Sequence, residues 1–188
     1  MLERMRFEIY WSYYISVERM LKNTSQYVAP SMENHKTYSD EFAKIVLLSC
    51  SEIDSILKVL CKLNNIICDE KKYNMNVYAE AISKISMVRE LAYAPEVYTS
   101  INEKSLVVVP FKELDNRKPN AGLKWWADYQ RIKHNRIQNA KRGNLYNAVS
   151  AVVAHYILIR ALIEFLGNDS GGDYVSNHNG SEYLIPCV

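Results

Sequence analysis

Between Phe42 and Leu63 the chain places Phe42, Val46, Ser49, Ile53, Ile56, Leu60 and Leu63 at alternating steps of four and three residues. That spacing aligns all seven on one stripe of a helix spanning 39–64. The stripe needs cover, from an antiparallel helix of the same chain or from a second copy. At fewer than four heptads, a bundle core suits it better than a free coiled coil. Ser39 followed by Asp40 and Glu41 supplies an N-cap with acids in the first turn. No glycine precedes Gly122, so this backbone avoids glycine-cradled loops and favours long helices.

The rest of the chain fits the same plan. Phe7, Tyr10, Tyr14, Val17 and Leu21 mark a first helix over 4–28, stopped by Pro30. Shorter helical pieces are expected over 75–92. Residues 96–100 and 104–110 are rich in β-formers, and a small β-hairpin insertion is expected near 96–111. Helical patterning returns over 123–139, weakens at Arg142-Gly143-Asn144, and resumes to Leu166, where Gly167 and Asn168 stop it. The expected fold is all-α: an up-and-down bundle of four to five helices. It occupies 1–167, with an insertion at 94–120. A flexible tail is expected over 168–188, in which Tyr183-Leu-Ile-Pro offers a docking segment.

The last helix is apolar on nearly every face from Ala148 to Leu166, yet His155, Arg160 and Glu164 fall inside it. Each is costly in hydrocarbon, so a buried core helix is expected rather than a membrane span. With 48% hydrophobic and 23% charged residues, disordered and collagen-like classes are excluded. Cys50, Cys61, Cys68 and Cys187 form no CxxC or Cys/His cluster, so free thiols and no metal site are expected. The charged start, Met1 to Arg6, does not read as a signal peptide, and a cytoplasmic location is expected.

The formal net charge of +2 conceals an asymmetry. Residues 117–142 carry eight basic side chains (Arg117, Lys118, Lys124, Arg131, Lys133, Arg136, Lys141 and Arg142) against Asp128 alone, a net +7 on an otherwise acidic chain. Such a stripe is the footprint of a polyanion contact; its ordinary alternative is a solvated helix face.

His134 sits inside this stripe. On a continuous helix, Trp125, Tyr129 and Ile132 face inward, whereas Arg131, His134 and Gln138 share the outward face. Arg136 joins that face only if the helix breaks after His134. These residue types suit metal-independent RNA cleavage. A neutral imidazole takes the proton of a ribose 2′-hydroxyl while an arginine fork holds the phosphate. Lys133, Lys141 and Arg142 would hold flanking phosphates, and Trp126 or Tyr129 would stack a base if exposed.

The segments Ser51-Glu52-Ile53-Asp54 with Lys58, Trp125-Trp126 through Lys133-His134-Asn135-Arg136, and Asn144 through Val153 together resemble the HEPN superfamily of small all-helical domains. The resemblance implies a dimerising four- or five-helix bundle with no metal or other cofactor. It implies a composite endoribonuclease site at the dimer cleft, in a toxin or phage-defence setting with a protein partner or antitoxin. Carried onto this chain, His134 is the catalytic histidine and Arg131 or Arg136 the arginine. Lys133, Asn135, Gln138, Lys141 and Arg142 would bind substrate. The family's ribonuclease motif puts the arginine several residues ahead of the histidine; here Arg131 leads His134 by three and Arg136 follows it. The second expectation is therefore a non-catalytic HEPN-like module that binds RNA or a partner protein. Neutralisation of the stripe by acids of the same chain would favour a purely structural role.

Overall fold

The computed structural model describes residues 2–66, 69, 73–84, 86, 97–99, 106–114, 122–170, 181 and 183–186. Among them run five named α-helices: α1 (Leu2–Thr24), α2 (Asp40–Leu63), α3 (Met75–Lys84), α4 (Lys124–His134) and α5 (Leu145–Ser170). The fold is an all-α helical bundle.

α2 begins and ends for local reasons. Ser39 Oγ accepts the Phe42 N–H at 3.1 Å, so the expected N-cap forms. At the other end Asn65 adopts φ 57°, while the Ile66 N–H bonds to Cys61 O at 2.8 Å and the Asn65 N–H to Lys62 O at 3.2 Å. This is a Schellman closure, with asparagine in the left-handed position that glycine usually takes. Of the seven stripe residues, six are buried and Leu63 is partly buried. α5 covers them, flanked by α1 and α4. Over Leu145–Ile163, α5 is long and apolar enough to cross a bilayer, but 89% of that stretch is buried inside the bundle. Its apolar faces are used as core, as the sequence suggests.

Two helices stop short of their expected ends. α1 closes at Thr24 rather than near 28, where the Thr24 and Ser25 hydroxyls donate to the carbonyls of Leu21 and Lys22. α4 stops at His134 instead of 139. Asn135 Oδ1 accepts the Gln138 N–H at 3.2 Å, and Asn139 Nδ2 donates to Asn135 O at 2.8 Å. Such asparagine side chains offer the backbone bonds that compete with a further helical turn. α5, conversely, continues past Leu166 to Ser170.

The expected hairpin is present as β1 (Val97–Thr99) and β2 (Val107–Val108), antiparallel with Val97 opposite Val108. The Leu106 N–H bonds to Pro30 O at 2.8 Å and Trp125 Nε1–H to Pro110 O at 2.7 Å, tying this insertion to the bundle. A third strand, β3 (Leu184–Pro186), pairs with β1 on its other side. The described part of the tail is therefore docked and not free. Tyr183 and Leu184 are buried in the same core cluster as the helices. Ser181 Oγ–H donates to the buried carboxylate of Glu18, which also accepts the Tyr14 hydroxyl at 2.8 Å. Cys68, Cys187, Arg117, Lys118 and most of 85–96 lie outside the described residues. Cys50 and Cys61 are buried and form no disulfide, and burial pushes the Cys50 thiol well up.

Candidate nucleic-acid interface

The basic segment folds around one buried carboxylate. Trp125, Trp126, Tyr129 and Ile132 turn inward from α4 into the core. Asp128 is carried inward with them, its side chain 3% exposed. A carboxylate desolvated this far needs several donors. It has three: Arg131 Nη1 at 3.1 Å, Arg142 Nη1 on the same oxygen, and Asn147 Nδ2 at 3.0 Å on the other. Arg142 Nε also donates to Asn139 Oδ1 at 2.9 Å, and Asn147 Nδ2 to Arg142 O at 2.8 Å. The only acid of the stripe is thus its anchor.

A strip of main chain holds the segment on its other side. A short 3-10 turn (Ala140–Arg142) leads into Gly143. There the Ser39 N–H bonds to Gly143 O at 3.1 Å, and the Leu145 and Tyr146 N–H groups bond to Thr37 O and His35 O at 2.9 and 3.1 Å. Gly143 is buried against α2, where an added Cβ would lie 2.6 Å from Ala43 Cβ.

Against this frame the expected site residues divide. Arg131 is exposed but held by Asp128, and Arg136 reaches Asp40 of α2 at 3.1 Å. His134 is exposed at the last position of α4 and has no hydrogen-bond or ion-pair partner among the described residues. The contacts do not join it to either arginine. The chain does break after His134, as sharing a face with Arg136 requires, but Arg136 turns to Asp40. Asn135 serves as the helix stop, and Gln138, expected on the helix face beside Arg131, lies in the turn beyond it. Trp126 and Tyr129, either of which would stack a base only if exposed, are buried; burial pushes the Tyr129 hydroxyl up to about 12, with Cys50 and Asp54 adding to it.

What remains free is a lysine set. Lys124, Lys133 and Lys141 are exposed and have no carboxylate partner among the described residues. Lys133 Nζ lies 5.7 Å from the Tyr129 ring centre, a cation–π contact that leaves its donors open. Glu52 and Asp54 neutralise none of the stripe's described residues. Asp54 binds Lys58 at 2.6 Å and the Tyr78 hydroxyl at 2.7 Å, and burial raises the Glu52 carboxyl.

The buried Asp128 hub was not legible as such. An aspartate four residues before a buried isoleucine and one before a buried tyrosine was the available signal, and it was outweighed by the surrounding positive charge. No grouping of His, Cys, Asp and Glu suited to a metal occurs among the described residues. No protein-family model matches the chain, nor does any curated protein or solved structure.

Proposed function

We propose that this chain is a non-catalytic, HEPN-like module that binds RNA through the face carrying Lys124, Lys133 and Lys141. The observation that supports this reading is the split within the stripe. Arg131 and Arg142 are consumed in holding a buried carboxylate, whereas the three lysines project without acidic partners among the described residues. Lysine in that state is a mobile point charge, suited to sequence-independent phosphate contacts and not to bidentate recognition. The Arg136–Asp40 pair is exposed on both sides, so it contributes about 0–1 kcal/mol and yields readily to a phosphate.

A second reading, a metal-independent endoribonuclease, draws on the imidazole of His134, which is exposed and has no partner among the described residues. It needs an arginine beside that histidine, which a homodimer mate would supply across the interface.

One experiment separates the two. Total RNA is incubated with the purified protein in excess EDTA, alongside His134→Ala and Lys141→Ala. The binding reading expects an RNA mobility shift without cleavage, unaffected by His134→Ala. Lys141→Ala should weaken that shift and reduce its salt slope by roughly one unit. Cleavage by the wild type that His134→Ala abolishes would replace this reading with the nuclease. Neither binding nor cleavage would remove RNA altogether and direct attention to a protein partner.

A further inference from the structure

Among the described residues, five large apolar side chains stand more than half exposed: Ile9, Tyr27, Met32, Tyr38 and Ile137. Three of them border one basic face. Lys124 lines two open cavities, with Met32 and Lys112 in the wall of one and Tyr38, Ile137 and Lys141 in the wall of the other. The acids in those walls are Glu113 and Asp128, and Asp128 is already met by Arg131, Arg142 and Asn147. Three lysines against Glu113 leave the face positive.

Ile137 is the side chain that a phosphate-binding face does not need. It is 89% exposed in the turn that follows α4. That turn is built and not slack. The Asn139 N–H bonds to Asn135 O and Arg136 O, both at 3.2 Å, and Asn139 Oδ1 accepts Arg142 Nε at 2.9 Å. Several polar groups of the turn are thus bonded within the segment, which lowers the cost of moving it out of water.

We propose that this face docks on an anionic lipid surface, with Ile137 seated at the acyl boundary and Lys112, Lys124 and Lys141 among the headgroups. The two kinds of residue act differently there. Each basic side chain near an anionic leaflet strengthens binding by about fivefold, and salt screens that gain. Burying the isoleucine adds a contribution that salt does not screen. Tyr38 carries the amphipathic ring that settles at headgroup level. No helix crosses the bilayer in this arrangement, and α5 remains core.

The proposal goes beyond the RNA reading and does not rest on it. The two share their lysines and differ in Ile137, so one substitution tells them apart. The full chain is sedimented with vesicles of phosphatidylcholine alone and of phosphatidylcholine carrying about 30% phosphatidylglycerol, an anionic lipid. An RNA mobility shift is run in parallel. Binding is expected on the anionic vesicles only, and should weaken as salt rises. Ile137→Ser should lower vesicle affinity by about tenfold or more and leave the RNA shift unchanged. Lys141→Ala should lower vesicle affinity by about fivefold. The thermal midpoint of Ile137→Ser should match the wild type, because the side chain lies almost wholly in water. Absent binding to anionic vesicles, equal binding to neutral ones, or binding untouched by Ile137→Ser each overturns the lipid surface. An RNA shift that persists in those cases keeps the RNA reading. Vesicle binding with no RNA shift removes RNA and upholds the lipid surface. If Ile137→Ser weakens RNA and vesicle binding alike, the isoleucine is no lipid anchor and the proposal fails.

Discussion

His155 is the side chain most at odds with its surroundings. It is 0% exposed in α5, and neither ring nitrogen has a hydrogen-bond partner. Its ring meets Tyr14 edge-on at 5.3 Å. The core position follows from its apolar neighbours in sequence, but a core histidine is ordinarily hydrogen-bonded, and this one is not. Burial lowers its pKa to about 3. The unfolded chain therefore binds a proton below about pH 6.5 that the folded chain refuses until about pH 3. Stability contributed by this group is complete above pH 6.5 and is lost as pH falls toward 3, by about 2 kcal/mol at pH 5. Urea titrations at pH 7 and pH 5 should show that loss in the wild type. His155→Phe should lack it while matching the wild type at pH 7, because it removes two unpaired buried nitrogens and keeps a ring. Gly143 is constrained by space and not by torsion: its φ of −75° suits any residue, yet Ala43 blocks a Cβ. Gly143→Ala should cost about 1–3 kcal/mol, read as a lower urea midpoint. Unchanged stability would mean that α2 shifts freely.

At the scale of elements, α4 and the 3-10 turn after it form one unit, because Asp128 bonds to both and to Asn147 of α5. Asp128→Asn keeps the shape but replaces one acceptor oxygen by a donor facing two guanidinium groups. The expected loss is about 2 kcal/mol, discounted because Arg131 is 54% exposed and regains water when released. Amide exchange should then accelerate over 135–144 while the α2 seam stays protected. Acceleration spread evenly over α2 and α4 would deny that the turn depends on this carboxylate. The helices themselves were readable in the sequence to within a few residues, since α2 and α5 are long and their neighbours apolar. The early end of α4 was less so. Asn135, Gln138 and Asn139 suit an exposed helix by periodicity, and only the local bonds of the two asparagines stop it.

At the scale of the molecule, the tail completes the fold. β3 adds an outer strand to the β1–β2 hairpin, Tyr183 and Leu184 enter the core, and Ser181 bonds to Glu18. A chain ending at residue 180 lacks those two side chains, uncovers the core they pack on and strips the buried Glu18 carboxylate of one donor. Burial of the two side chains alone is worth roughly 3 kcal/mol. A fall in the thermal midpoint of at least several degrees is expected, with faster exchange at the β1 amides. A truncated protein of wild-type midpoint would show that the tail rests on the bundle without stabilising it.

The sequence by itself determined the class of this protein. Helical periodicity in 42–63, an N-cap at Ser39, apolar α5 and β-formers near 97–108 are local or near-local signals, and each produced the element it foretold. It also located the positive charge. Only the tertiary structure decided which of those charges are free, because pairing depends on acids brought near in space: Asp40 meets Arg136 across 96 positions of chain, and Asp128 gathers Arg131 and Arg142 only after α4 turns it inward. The same holds for the third strand, whose partner lies on the far side of the bundle's longest helix in sequence. Periodicity reports the face a residue takes on its own element, and what that face meets is set by packing.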